Sequence, residues 1–266
     1  MSVLIVIPAR YQSVRYPGKP LVELTGATGV RKSLIRRSWD AASAVNGVDR
    51  VVVATDDDRI KDAAEGFGAE VIMTSTNCTN GTERCAEALS HIAQDYDVVV
   101  NLQGDAPLTP AWFVEDLVSA LTENDAVSMA TPVLQCDGKS LNGFLEDRRN
   151  GLVGGTTAVF RHDGTALYFS KEVIPYTNRK YENADETPVF HHVGVYAFNP
   201  SALTRYQKWP IGPLEKLEGL EQLRFLENGE DILCVQVDAR GKQFWELNNP
   251  QDVPRLEAMM ADMGVE

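Results

Sequence analysis

Three cations fall close together in "VIPARYQSVRYPGKPL": Arg10, Arg15 and Lys19, alternating with Pro8, Pro17, Gly18 and Pro20. The prolines stiffen the loop by fixing φ. An arginine presents a planar fork and a lysine a point charge, so the segment suits holding a triphosphate. GxxxxGK[ST] is absent, so this is not a Walker-type phosphate loop. Two later stretches bring carboxylates, "TDDD" from Thr55 and "QGDAP" with Gln103 and Asp105. Asp105 at a strand end is a metal-ligand candidate, whereas Asp58 serves equally well as a helix cap. Glu215, Glu218 and Gln222 lie at i, i+3 and i+7, one face of a helix whose core side would be Leu214, Leu217 and Leu220. Such a polar stripe is commonly a solvated face. His192 follows His191 and precedes Val193 in an apolar strand, where a satisfied buried histidine is the commoner outcome.

These groups need a frame. Strand and helix patterns alternate through the first half: strands at "VLIVIP", "RVVVATDDD", "AEVIMT", "DVVVNLQGD" and "AVSMATPV". Helices are expected between them at "GVRKSLIRRSWDAASAV", "DDRIKDAAEGFG", "GTERCAEALSHIAQ" with Thr82 as N-cap, and "PAWFVEDLVSALTEN". Continuous Val/Ile runs mark strands covered on both faces, hence a parallel α/β sheet. In open parallel sheets ligands bind beyond the carboxyl ends of the strands, where the three polar loops would converge. Residues 137–157 are polar and glycine-rich and read as a loop. Further strands are expected near 157–160, 192–198 and at "DILCVQV", with helices at "EKLEGLEQLRFLENG" and "PQDVPRLEAMMADM". The reading is one domain over 1–266 with an inserted lobe at roughly 135–210.

Composition narrows the function. With 25 Lys+Arg against 38 Asp+Glu, a formal net charge of -13 argues against a general nucleic-acid binder. No apolar run approaches the ~18 residues a membrane span needs, and no signal peptide is evident, so a cytoplasmic protein is expected. Cys78, Cys85, Cys136 and Cys234 lack CxxC spacing and read as free thiols.

In chain order, "IPARYQSVRYPGKPL", "VATDDDRI", "NGTERCAEAL", "NLQGDAP", "ALYFSKEVIPY", "HHVGVYAF" and "GPLEKLEGLEQLRFLENG" resemble the 3-deoxy-manno-octulosonate (Kdo) cytidylyltransferase, or CMP-Kdo synthetase, family over nearly the whole chain. The resemblance implies a Rossmann-like nucleotidyltransferase fold of GT-A type, a mixed α/β sheet with helices on both faces. It implies the reaction of CTP with a sugar acid, Mg2+ as cofactor and a homodimer. Carried over by motif, Arg10, Lys19 and Asp105 would be the catalytic set, and Pro8, Ala9, Arg15, Asn80, Gly81, Thr82, Arg84 and Gln103 would border the nucleotide. Gln103, His192, Tyr196, Glu215, Glu218 and Gln222 would face the sugar acid, and Asp105 and Asn248 the metal.

Four positions depart from the family pattern. Asn248 in "LNNPQD" stands where an aspartate is usual, with Glu246 two residues before it; Ala106 replaces an acid; Thr157 replaces a lysine and His191 an arginine. Two fewer cations near the sugar side predict a changed acceptor: 8-amino-Kdo, another sialic-type sugar acid or a phosphonate. A non-catalytic nucleotide-binding homologue is the reading from another class.

Overall fold

The computed structural model describes residues 1–266 except Val14, Asp125, Gly154, Arg179, Gln243 and Phe244. The chain forms two compact units, Met1–Glu115 with Ala197–Gln207 and Ala239–Glu266, and Asp116–Tyr196 with Lys208–Asp238.

The first unit opens with β1 (Val3–Ala9), every residue of which is buried. A 3-10 turn at Lys19–Leu21 leads to the hairpin β2 (Glu23–Thr25) and β3 (Arg31–Ser33), then α1 (Leu34–Ser43). The sequence pattern placed a helix from Gly29; the structure starts it at Leu34, because Leu24 and Thr25 pair with Lys32 and Arg31 and Ser33 caps Arg36. Next come β4 (Arg50–Thr55), α2 (Asp58–Gly66), β5 (Glu70–Met73), α3 (Gly81–Ser90) and β6 (Val98–Leu102). These four long-strand segments pair in parallel in the order β5-β4-β1-β6. Ile7 lies opposite Val53 and Val6 opposite Asn101, so the ends of β1 and β6 come out together. Two expected caps shift by a residue or two. Asp57, not Asp58, caps α2, and Asn80, not Thr82, caps α3 by accepting from the Glu83 amide at 2.8 Å. Each has the extended backbone a cap requires.

α4 (Ala111–Thr122) leads into the second unit, where β7 (Met129–Gln135) is followed by α5 (Gly138–Arg149). The loop expected at 137–157 is thus half helix. Asp137 caps it through the Ser140 amide at 2.7 Å, and Leu141 anchors it against Cys136 and Val189. β8 (Thr156–Phe160), β9 (Ala166–Ser170) and β10 (Phe190–His192) follow, and β11 (Val195–Phe198) returns the chain to α6 (Pro200–Tyr206). β10 pairs antiparallel with β7 and with β8, β8 pairs antiparallel with β9, and β12 (Ile232–Gln236) pairs parallel with β7. The class is therefore mixed α/β.

The single helix read in "EKLEGLEQLRFLENG" is two: α7 (Pro213–Glu218) and α8 (Leu223–Glu227). Gly219 separates them in the left-handed region at φ 63, the conformation glycine adopts without penalty at a helix C-terminus. The i, i+3, i+7 face therefore does not exist, and the expected core side is reversed: Glu215 is buried while Leu217 is 83% exposed. α9 (Asp252–Met263) closes the first unit, its Leu256 and Met260 packing against Leu24 and Leu34. Among the described residues no helix is long and apolar enough to cross a membrane.

Candidate active site

A cleft opens at the carboxyl ends of β1 and β6. Pro8, Ala9, Arg10, Arg15 and Lys19 line it from the first loop, Asn80, Gly81 and Arg84 from the start of α3, and Gln103 and Asp105 from the segment after β6. Every residue expected to border the nucleotide is there except Thr82, which is buried within α3. Pro20, read from sequence only as stiffening the loop, also lines it, as do Ser13 and Gly104, which were not singled out from sequence. Gly104 could have been: a Cβ there would lie 2.9 Å from the Pro8 carbonyl oxygen, so only glycine lets the two strand ends meet.

The first loop is held in shape by its own residues. Gly18 takes φ 70 and donates its amide to the Tyr11 carbonyl at 2.9 Å. The Arg59 guanidinium lies 3.3 Å from the Tyr11 ring centroid, tying loop to α2. Lys19 Nζ then meets Asp105 Oδ2 at 2.5 Å, with side chains only 14% and 25% exposed. Arg15 donates to Asn248 Oδ1 at 3.1 Å, and Arg10 to the Thr79 carbonyl at 3.3 Å. The "TDDD" acids are structural: Asp57 caps α2, and Asp56 accepts from Arg84 at 3.1 Å while Thr74 engages the same guanidinium. Asn80 caps α3 and donates to the Tyr206 hydroxyl at 2.9 Å.

Electrostatics at the mouth of β6 are uneven. Glu246 is half-buried, and desolvation followed by repulsion from Asp105 pushes its carboxyl up to about 7, Lys19 partly offsetting both. The Leu247 amide donates to the Asp105 carbonyl at 2.9 Å, which fixes the Glu246–Asn248 segment beside that loop. The Asn248 and Asn249 amides both donate to Asp252, at 3.0 and 2.6 Å.

Of the residues expected to face a sugar acid, Gln103 lines the cleft of the first unit and the others lie in the second. The His192 ring nitrogen Nε2 pairs with Thr131 Oγ1 at 2.9 Å, and the ring stacks on Tyr196. Tyr196 donates to Gln222 Oε1 at 3.2 Å. Glu218 accepts from Ser170 Oγ at 2.7 Å and the Lys171 amide at 2.9 Å. Glu215 is clasped by Arg224 at 2.6 and 2.7 Å, both side chains almost fully buried. The departures Thr157 and His191 are direct cross-strand neighbours on β8 and β10. Thr157 Oγ1 is fully engaged by backbone, donating to Glu172 and accepting from Ile174, while His191 rests against Phe144. Ala106 is completely buried.

Burial holds His191 down at about 4 and, with repulsion from its neighbour, His192 at about 3. Both folded values lie below the ordinary 6.5, so the unfolded chain takes up protons first as pH falls. Their stabilising contribution is complete above about pH 6.5 and is lost toward pH 4. Urea unfolding across that window is expected to show a loss on the order of 6 kcal/mol, about 3 from each ring; a flat curve refutes the burial of both rings in neutral form.

A stiffened cationic loop faces a carboxylate across the ends of two parallel strands, an arrangement that suits a polyphosphate ligand. A cytidylyltransferase profile matches residues 4–232. The 3-deoxy-manno-octulosonate cytidylyltransferase of Maricaulis maris is 43% identical over 264 residues, 99% of each chain. The 8-amino-3,8-dideoxy-manno-octulosonate cytidylyltransferase of Shewanella sediminis is 39% identical over 98% of this chain and 99% of its own. A solved CMP:2-keto-3-deoxy-manno-octonic acid synthetase complexed with CTP superposes with a TM-score of 0.83 at 32% identity, covering 99% of this chain and all of that one. The chain belongs to the 3-deoxy-manno-octulosonate cytidylyltransferase family. The four cysteines are free, as their spacing suggested.

Proposed function

We propose that the protein joins CMP from CTP to Kdo or a Kdo-like acid and releases pyrophosphate. The observation that carries this reading is the Lys19–Asp105 pair at 2.5 Å inside a cleft that Arg10 and Arg15 also line. An isolated acid would suffice for a helix cap; an acid and a lysine brought together from different strand ends suit a polyphosphate and its counter-ion. The acceptor's anomeric oxygen bonds to the α-phosphorus as the bond to the bridging pyrophosphate oxygen breaks, and the hydroxyl proton passes to solvent. Arg10, Arg15 and Lys19 orient the triphosphate and offset charge on the departing pyrophosphate. Gly81 and Gln103 border the nucleoside, with Asn80 fixing the start of α3. In this reading the half-buried Glu218 offers the second unit's contact to the acceptor, while His192, Tyr196 and Gln222 are buried and support that unit from within.

The donor set around β6 fits Mg2+. It consists of hard oxygens, the Asp105 carboxylate, the Asn248 amide and the nearby Glu246, and the repulsion that lifts Glu246 is the sort a divalent cation relieves. Mg2+ commonly takes one or two carboxylates plus substrate phosphates. Asp105 and Asn248 would hold it, and bound there it supplies charge to phosphate oxygens.

The 8-amino acceptor is the second reading. The neutral Thr157–His191 pair favours it, since neither residue brings the cation expected there. Pyrophosphate release with CTP and Mg2+, run in parallel with Kdo and 8-amino-Kdo, separates the two. Turnover of Kdo at rates within about tenfold of the analogue supports the first; turnover of the analogue alone supports the second. No release with either acid overturns both. A cytoplasmic homodimer completes the reading: α7 and its lead-in leave Ile211, Leu214 and Leu217 exposed, an apolar strip that a second copy would cover.

A further inference from the structure

Asn101 has no role in the site as described, yet it is the most anomalous polar side chain beside it. It sits on β6, two residues before Gln103, and is completely buried. Among the described residues neither Nδ2 nor Oδ1 has a hydrogen-bond partner. A buried amide left unpaired costs stability, and such groups in folded proteins call for a reason. The strand itself supplies none: the other members of β6 near it are Val99, Val100 and Leu102, and Val6 is its partner across the ladder.

The surroundings point to one. Asn101 does not line the cleft, but Gly81 and Gln103 do. A Cβ built on Gly81 would lie 2.9 Å from Gln103 Nε2 and 3.2 Å from Asn101 Nδ2. The two carboxamides therefore converge on the same bare Cα at the first turn of α3, Gln103 toward the cleft and Asn101 behind it. Alternation along the strand places i and i+2 on the same side, so the pair is aligned by the backbone.

Resting on the nucleotide reading above, we infer that Asn101 is a positioning residue for Gln103. When a nucleotide engages the cleft side of the Gln103 amide, Asn101 hydrogen-bonds the opposite side and fixes its orientation. The hydrogen bond Asn101 lacks in the free protein is then made, so part of the cost held in the folded chain is recovered on binding. An apolar residue of the same shape would remove that cost but also the support.

The test is Asn101→Leu, compared with wild type for melting temperature without ligand and for CTP affinity by calorimetry with Mg2+. The expected result is a melting temperature equal to or above wild type, with CTP bound about tenfold more weakly. In the Gln103→Ala background the same change should leave CTP affinity unaltered, because the group it positions is gone. Conservative Asn101→Ser, which keeps a hydroxyl at the site, should recover part of the affinity. A lower melting temperature with unchanged CTP affinity overturns the inference and makes Asn101 structural. Equal losses with and without Gln103 overturn it too. Failure of wild type to bind CTP would instead remove the nucleotide reading, and this inference with it.

Discussion

Asp105→Ala is expected to lower kcat for pyrophosphate release by on the order of 10^3 while leaving the protein folded. The carboxylate has two duties. It is the strongest oxygen donor of the proposed metal position, and it holds Lys19 Nζ at 2.5 Å. Because that contact satisfies Lys19 before any substrate arrives, a phosphate must share the ammonium with Asp105. Deleting the acid frees Lys19 for the ground-state triphosphate, so KM for CTP should stay level or fall even as kcat collapses. Removal of a ground-state binding group would have the opposite signature, raised KM at constant kcat. Asp105→Asn should behave like Ala, since charge and not bulk is what is lost. The melting temperature should move little, as the pair is partly solvated and such pairs contribute modestly. A kcat within tenfold of wild type in either variant would sink the assignment.

The second large effect falls on stability. Arg224→Met is expected to cost roughly 3–5 kcal/mol, because it leaves the Glu215 carboxylate buried with its guanidinium partner removed. Glu215 is 5% exposed and Arg224 2%, and the two are joined by a bidentate pair. Glu215→Gln should likewise destabilise, by leaving the buried guanidinium without its matching charge. The family resemblance makes Glu215 a sugar-acid ligand, whereas its helical spacing alone reads as a solvated face. In the structure it joins α7 to α8 across the break at Gly219, and its own amide donates to Glu227. The two roles separate cleanly. A structural Glu215 gives a large drop in urea midpoint with acceptor KM little changed at low temperature. A ligand Glu215 would give a raised acceptor KM at normal stability. The double replacement Glu215→Leu with Arg224→Met should regain most of the loss, since a well-packed apolar pair often matches a buried ion pair.

These two residues illustrate what was readable in the chain and what was not. The cationic cleft was legible because its residues are local: Arg10, Arg15 and Lys19 sit in one stiff loop, and the continuous apolar run of β1 before them reads as a buried strand. The convergence of that loop with Gln103 and Asp105 followed from the parallel order of the sheet. Helix continuity was not legible. The pattern through Glu215, Glu218 and Gln222 is helical in count, and one glycine at φ 63 cancels it. The hairpin before α1 was hidden for a related reason, since "GVRKS" has no strand periodicity and is held extended by pairing with Glu23–Thr25. α5 was hidden because its apolar residues are few, Leu141 buried with Phe144 and Leu145 half-buried beside it, among glycines and polar residues. Asn101 had no sequence signal at all: inside "VVVNLQ" it is one polar letter in a strand, and only the three-dimensional neighbourhood reveals that it is unpaired beside Gly81 and Gln103.

The place of β1 in the sheet also governs how the protein is made. Its two neighbours are the strands that begin at Arg50 and Val98, so the first strand synthesised waits for distant partners. Contacts so far apart along the chain make for slow folding, because loop closure is paid before pairing returns anything. A nascent chain adds about 5–20 residues per second, so several seconds separate synthesis of the cationic loop from emergence of the strand that completes its flank. Through that interval the loop has no Asp105 opposite Lys19 and no ordered cleft. Nucleotide would therefore bind only the finished sheet, adding stability as RT ln(1 + [L]/Kd), and act as a late check on assembly with no part in starting it.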